Sequence, residues 1–100
     1  MASHPSFSII APIYGVERYI VNCADSLLGQ TYDNIQFIFV NDGTKDASIE
    51  LLSKLIDKKY GALKDRIVIV NKLNGGLPAA RRTGMEYATG DYILHVDSDD

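Results

Sequence analysis

The chain has 100 residues, of which 46% are hydrophobic and 23% charged, with a net charge of −3; these values are typical of one soluble globular domain. The charge offers no basic patch for nucleic acid, and no apolar run approaches the roughly 18 residues of a membrane helix. Cys23 is the single cysteine and lies on an apolar helical stripe. It therefore favours a core position and a reducing, cytoplasmic location.

Four short apolar runs alternate with three helical patterns along the chain. The runs are rich in Ile, Val and aromatic residues, which is typical of strands buried on both faces of a parallel sheet. They cover residues 7–11, 35–40, 67–70 and 92–96. Residues 1–6 are expected to be a flexible tail or an added leader, and residues 7–100 to be one folding unit.

The helical patterns place apolar residues three and four positions apart, so that each helix has one apolar face. The three stripes run from Val16 to Leu28, from Ile49 to Ile56 and from Leu77 to Ala88. Thr44 or Asp46 is a suitable N-cap for the second helix, and Pro78 suits the first turn of the third. The order β-α-β-α-β-α-β predicts an α/β fold with three layers, a mostly parallel sheet and right-handed crossovers.

Polar residues follow each predicted strand, at the sheet edge where open α/β folds bind ligands. They include Tyr14 after the first strand, Asp42 after the second and Asn74 after the third. Turns also collect Asn, Asp and Gly, which is the alternative explanation for each loop taken singly. It explains the acidic segment after the fourth strand less well, because clustered carboxylates repel one another.

Asp97 and Asp99 in that segment are two residues apart, a spacing that in extended chain points both side chains to one side. Two such carboxylates suit a hard cation, Mg²⁺ or Mn²⁺, whose remaining positions are filled by phosphate oxygens and water. A solvated turn is the alternative. Asp100 points the other way and is expected to be a loop residue or a helix cap.

Single polar residues in the other loops have two interpretations each. Asp42 can accept hydrogen bonds from a base or ribose, or form an Asx turn. Tyr14 can stack on a base, or pack partly into the core. Of Arg81 and Arg82, at most one can face the site, because helix neighbours diverge by about 100°; both can also be surface charges. His95 lies within the fourth strand, where we expect it to be packed.

Two common nucleotide-binding motifs are absent from the sequence. No Gly-x-Gly-x-x-Gly follows the first strand, which argues against a nicotinamide or flavin site, and there is no P-loop. The acids also fail the calcium-loop pattern, which requires a Gly and a later Glu.

Five segments together resemble the family 2 glycosyltransferases of the GT-A fold, a Rossmann-like class. Each segment is ordinary alone, but their order and spacing are specific, and the resemblance extends from about residue 7 to residue 100. In this sequence they read SIIAPIY at residues 8–14, SLLGQTY at 26–32, VNDGT at 40–44, NGGLPAAR at 74–81 and YATGDYI leading to VDSDD at 87–100. Asn41, Gly15 and Arg82-Thr83 depart from the usual family residues.

The resemblance implies a sheet in strand order 3-2-1-4 and a nucleotide-sugar site. Asp42 would bond the base, Arg81 would lie near the nucleotide, Asp97 would contact the ribose or a metal-bound water, and Asp99 would hold the metal. Pro12 and Tyr14 would line the base pocket, which Glu17 would border.

By the same resemblance, the parent protein would be an inverting enzyme that transfers a sugar from a nucleoside diphosphate, with UDP as the expected nucleotide, to a glycan or lipid. Its catalytic base would follow Asp100, so this chain would be the nucleotide-binding half, inactive alone. Membrane association would arise through chain beyond that point. We also expect a homodimer through an exposed sheet edge. The alternatives are a non-catalytic nucleotide-binding module, a nucleotidyltransferase and an Asp-x-Asp phosphatase.

Overall fold

The fold is a four-stranded parallel sheet with helices on both faces, as seen in a computed structural model that describes residues 5–98. The strand order is β3-β2-β1-β4, which confirms the predicted 3-2-1-4 arrangement and the α/β class. The strands are β1 (Phe7–Ile13), β2 (Ile35–Asp42), β3 (Ile67–Lys72) and β4 (Tyr92–His95). The helices are α1 (Ile20–Leu28), α2 (Ser48–Lys59) and α3 (Leu77–Tyr87), with a 3₁₀ helix at Gly61–Arg66 before β3 that the sequence patterns did not predict.

The core is divided by the sheet into two apolar clusters. Successive residues of β1 point to opposite faces, so Ile9 packs against α1 and α2 while Ile10 packs against α3. Cys23 is half-buried against the larger cluster, in agreement with its predicted core role. The smaller cluster includes Ala80 of α3, which is fully buried.

Strands β2 and β3 each extend two residues beyond the predicted apolar runs. Asn41 pairs in register with Asn71, and Asp42 pairs with Lys72, so polar residues continue the ladder at its carboxyl end. Apolar patterning detects only the apolar part of a strand, whereas backbone pairing continues as long as a partner strand is present. Asp42 is thereby fixed on the sheet itself and not in a loose turn.

Strand β4 differs from the prediction that all four strands are buried on both faces. Tyr92, Leu94 and His95 are exposed, and Leu94 retains 48% of its accessible surface. The expectation that His95 is packed is therefore wrong. The reason is topological, because β4 lies at an outer edge of the sheet and, among residues 5–98, pairs only with β1.

The amino-terminal boundary lies slightly earlier than predicted. Ser6 donates its amide hydrogen to the Asp91 carboxylate at 3.0 Å, and its carbonyl accepts the amide of Tyr92 at 3.1 Å. The predicted tail thus includes at least one residue that is bonded to the sheet, and residues 1–4 lie outside the described part of the chain.

Candidate functional site

A cavity of about 430 Å³ opens at the carboxyl ends of β1 and β2, where the topology predicted a ligand site. Its walls come from the carboxyl ends of β1 and β2, from the loops that follow β1 and β3, from the start of α3 and from the segment after β4. The lining residues are Pro12, Tyr14, Val16, Asp42, Asn74, Gly76, Leu77, Asp97 and Ser98. Four of the residues predicted for nucleotide binding are therefore brought together: Pro12, Tyr14, Asp42 and Asp97.

Tyr14 lines the cavity and is an exposed aromatic residue. Its side chain is 56% exposed, so the alternative of core packing does not hold. The next residue, Gly15, has a φ of +63°, a left-handed conformation that favours glycine and turns the chain sharply after the ring. Pro12 beneath it is buried, and gives the cavity a rigid apolar floor.

Asp42 is buried at 3% exposure, and its carboxylate accepts hydrogen bonds from the end of β3 and from the loop that follows it. One oxygen accepts from the Lys72 ammonium at 3.0 Å and the Gly75 amide at 2.9 Å; the other accepts from the Gly76 amide at 3.0 Å. Asn74 adds a longer bond of 3.3 Å to that second oxygen.

These bonds also set the charge state of Asp42. Burial alone would raise the pKa of Asp42, but the hydrogen bonds from Gly75, Lys72 and Gly76 together hold that pKa below its ordinary value. An ionised Asp42 thus ties the end of β2 to the entry of α3. Its predicted bond to a base stays a prediction.

Gly76 directly precedes helix α3 and has a backbone conformation that residues with a Cβ atom rarely adopt. Its φ is +91°, and Pro78 follows in the first turn, as the sequence predicted. This end of the helix, with Gly76, Leu77 and Asn74 around it, forms one wall of the cavity. Sequence reasoning missed Leu77, which the helical stripe assigned to the core although it is 44% exposed.

Arg81 and Asp97 form an ion pair beside the cavity, with 3.2 Å between Arg81 Nη2 and Asp97 Oδ1. Arg82 is exposed, whereas Arg81 is half-buried and reaches the cavity only through Asp97, since it does not itself line the cavity. Arg81 Nε is buried and has no hydrogen-bond partner among residues 5–98. The side chains of Arg81 and Asp97 keep 37% and 47% of their surface, which leaves both accessible to a ligand.

Ser98 anchors the acidic segment to the sheet. Its hydroxyl donates to the carbonyl of Pro12 at 2.8 Å, and the residue is 3% exposed. Ser98 is thus buried while its neighbour Asp97 is exposed. The sequence reasoning did not predict this structural role of Ser98.

Glu17 does not line the cavity, although it was predicted to border the base pocket. Its carboxylate accepts the amide of Ala47 at 3.0 Å, and its own amide donates to Asp46 at 3.2 Å. Both bonds hold it against the loop before α2. The intrinsic attraction of a carboxylate for amides at a helix start accounts for this position.

The residues of the site fit a divalent cation in part. Asp97 offers an accessible carboxylate next to the cavity, which suits a cation that takes one or two carboxylates plus phosphate oxygens. Within residues 5–98, no group of three His, Cys, Asp or Glu side chains is arranged to hold a metal by itself. The second predicted ligand, Asp99, lies outside the described residues.

The sequence matches the profile of Glycosyl transferase family 2 over residues 8–100. The chain is 43% identical over 93 residues to glycosyltransferase GlyA of Streptococcus pneumoniae, covering 93% of this chain and 13% of that protein. It is 48% identical over 96 residues to the uncharacterized glycosyltransferase EpsJ of Bacillus subtilis, covering 96% of this chain and 26% of EpsJ. The chain therefore spans only 13% and 26% of the lengths of these two relatives.

Solved structures agree with this assignment. A mannosyltransferase from Pyrobaculum calidifontis, in complex with GDP-Man and Mn²⁺, superposes with a TM-score of 0.86 at 20% identity, over 98% of this chain and 28% of that one. Residues 1-349 of S. aureus TarS, in complex with UDP, give 0.79 at 28% identity over 94% and 27% of the two chains.

The fold and the family profile together define the class: the chain is the amino-terminal part of a GT-A-type glycosyltransferase domain. It belongs to glycosyl transferase family 2, as its five segments suggested. This membership decides against the nucleotidyltransferase and phosphatase alternatives. Among residues 5–98, no helix is long and apolar enough to cross a membrane.

Proposed function

We propose that the chain binds the nucleoside diphosphate of a sugar donor, with UDP as the nucleotide, in the cavity between Tyr14 and Asp97. The observation that carries this proposal is the convergence of an exposed aromatic ring, a helix start and an accessible carboxylate on one cavity. Cavities of this size and composition are typical of small-molecule sites. The TarS structure with UDP, at 28% identity, supports the choice of nucleotide.

In this arrangement each wall of the cavity contacts a different part of the donor. The Tyr14 ring stacks on the base over the floor formed by Pro12, and Asp42 closes the far side. Arg81 supplies a guanidinium for a phosphate, once its pair with Asp97 is opened or shared. Asp97, together with Asp99, would hold a Mg²⁺ or Mn²⁺ ion next to the diphosphate.

The bound cation would act as a Lewis acid that stabilises the departing nucleoside diphosphate. Asp97 would orient that end of the donor, and its accessible position next to the cavity favours this role. The positive charge of Arg81 would partly neutralise the negative charges of the Asp97 carboxylate and of the phosphates during binding. Glu17 contributes indirectly, because it holds the loop that carries Tyr14.

For the whole protein we propose inverting transfer of the sugar to a glycan or lipid acceptor. The family membership of the chain and its resemblance to GlyA and EpsJ support this proposal. The catalytic base is proposed to lie after Asp100. A sugar-transfer assay on the longer protein distinguishes this enzyme from a non-catalytic nucleotide-binding module, because only the enzyme releases UDP in the presence of an acceptor.

The binding proposal is tested by calorimetric titration of UDP into the protein with Mn²⁺ present. We expect saturable binding by the wild type and at least about tenfold weaker binding by Asp97→Asn, since a carboxylate next to the diphosphate is lost. Asp57→Asn is the matched control, because Asp57 is an exposed, ion-paired carboxylate that lines a different groove. Absence of binding by the wild type, or equal binding by Asp97→Asn, would contradict the proposal.

A further inference from the structure

Three consecutive backbone amides in the loop after β1 are bound by side chains from the loop before α2. The Gly15 amide donates to Thr44 Oγ1 at 2.8 Å, and the Val16 amide donates to Ser48 Oγ at 3.1 Å. The Glu17 amide donates to Asp46 Oδ2 at 3.2 Å. This loop thus has no partner-free amide between Tyr14 and Arg18, and all three partners come from residues 44–48.

Asp46 organises these acceptors through its other oxygen. Oδ1 accepts the Thr44 hydroxyl at 2.7 Å, the Ser48 hydroxyl at 2.6 Å and the Ser48 amide at 3.0 Å. A hydroxyl has one hydrogen to donate, so both hydroxyls commit theirs to Asp46. Their lone pairs then face the loop and accept the amides of Gly15 and Val16.

The negative charge of Asp46 fixes the direction of these hydrogen bonds, because a carboxylate can only accept them. The residue is half-buried, and burial alone would raise the pKa of Asp46. The hydrogen bonds from Ser48, Thr44 and Glu17 outweigh burial and lower this pKa to about 2. An ionised carboxylate only accepts hydrogen bonds, whereas an amide in its place would also have to donate.

The loop held in this way carries Tyr14. The ring is 56% exposed and lines the cavity, while Asp46 itself does not line it. Gly15 bends the chain directly after Tyr14, so the position of the ring depends on where the amides of residues 15–17 are held. The only side chains that hold them, within the described residues, are those of Thr44, Asp46 and Ser48.

We propose that Asp46 is a positioning residue for nucleotide binding: through the hydroxyls of Thr44 and Ser48 it fixes the loop that presents Tyr14 to the base. This inference rests on the proposed function, because it needs a base in the cavity. Residues 44–48 do not line the cavity. According to this proposal they increase the affinity for the nucleoside and do not change the affinity for the diphosphate.

The test compares UDP with inorganic pyrophosphate, each with Mn²⁺, by titration calorimetry. Asp46→Asn is expected to raise the Kd for UDP about tenfold, the effect of one charge-assisted hydrogen bond, and to leave the Kd for pyrophosphate unchanged. In a Tyr14→Ala background, Asp46→Asn is expected to have no further effect on UDP, because the ring that it positions is gone. Equal losses for both ligands, or losses that add to that of Tyr14→Ala, would show a general structural role and overturn the proposal.

A second pair of variants keeps the test decisive if Asp46→Asn fails to fold. Thr44→Val removes the hydroxyl that accepts the Gly15 amide and nearly keeps the shape of the side chain. It is expected to weaken the binding of UDP but not of pyrophosphate. Thr44→Ser keeps the hydroxyl and is expected to bind UDP as the wild type does. Equal UDP affinity in Thr44→Val and Thr44→Ser would overturn the inference. Failure of the wild type to bind UDP would instead remove the proposed function and this inference with it, so the two failures are distinguishable.

Discussion

Helix α3 packs closely against the sheet at Gly84. A Cβ atom placed there would lie 2.5 Å from Ile10 Cγ2 and 3.3 Å from Val40 Cγ2, both in the buried cluster beneath the helix. Contacts this short require the helix or the two side chains to move.

Gly84→Ala is therefore expected to destabilise the protein by about 1–3 kcal/mol, the usual cost of overpacking a core, despite the better helix propensity of alanine. Urea unfolding followed by circular dichroism measures this change. Met85→Ala is the control, since Met85 is the next residue and 49% exposed. Unchanged or increased stability of Gly84→Ala would show that the packing is looser than the distances indicate.

Tyr14 is the residue whose removal should affect binding with little effect on folding, because more than half of its side chain is exposed. If the ring stacks on the base, Tyr14→Ala should weaken UDP binding by about 1–3 kcal/mol, or about 5-fold to 150-fold, while Tyr14→Phe keeps most of the affinity. Tyr19→Ala is the matched control, as an exposed tyrosine that does not line the cavity. Equal weakening by Tyr14→Ala and Tyr19→Ala would argue against stacking.

Sequence patterns identified Tyr14, Asp42 and Asp97 as site residues because each comes within three residues of the end of a predicted strand. They could not assign the amide partners of Asp42, since those bonds come from a loop more than 30 residues later whose path depends on the positive φ of Gly76. Ser98 and Leu77 were missed for a related reason. Both face a surface that exists only when separate loops meet.

At the level of elements, Asp46 joins the loops after β1 and β2, and Asp42 joins the end of β2 to the loop after β3; both carboxylates are ionised, which makes the packing of these loops sensitive to acid. In the folded protein the pKa of Asp46 is about 2, and the pKa of Asp42 is also lowered. In an unfolded chain the pKa of an aspartate is about 3.9. A depressed pKa in the folded state contributes stability that is present above the unfolded pKa and is lost as the pH falls toward 2.

We therefore expect the urea midpoint of the wild type to fall steeply between about pH 4 and pH 2. Asp46→Asn should be less stable at pH 7, and its midpoint should fall less over the same acid range, because it has one fewer group to protonate. Parallel pH profiles for the two proteins would show that Asp46 titrates normally in the folded state.

Element types and order followed from the sequence because hydrophobic periodicity and strand alternation are local. The exposure of β4 could not be predicted from the sequence. An edge strand can have the same apolar composition as a central strand, because composition does not show whether a strand is covered. The 3₁₀ helix at Gly61–Arg66 was also missed, because its six residues contain no periodic apolar stripe and none of them is buried.

At the level of the whole molecule, the outer edge of β4 is expected to support a homodimer. Tyr92, Ile93 and Leu94 are all exposed on this edge strand, and unpaired strand edges favour pairing with a second chain. Light scattering should show a dimer that Leu94→Lys converts to a monomer, because charged side chains, lysine above all, protect strand edges. Leu73→Lys is the control, since Leu73 is 90% exposed in a loop. A wild type that stays monomeric at high concentration would contradict this prediction.

The central claim is that a nucleoside diphosphate binds at the carboxyl edge of the sheet, and amide NMR during titration of UDP with Mg²⁺ tests it most directly. The amides of Gly76 and Ser98, which line the cavity, and of Gly15, which lies between the lining residues Tyr14 and Val16, should shift together and saturate at one Kd. The amides of Ser53 and Lys64, in the groove between α2 and β3, should not move. Shifts centred on that groove, or no saturable shifts at Gly15, Gly76 and Ser98, would contradict the account.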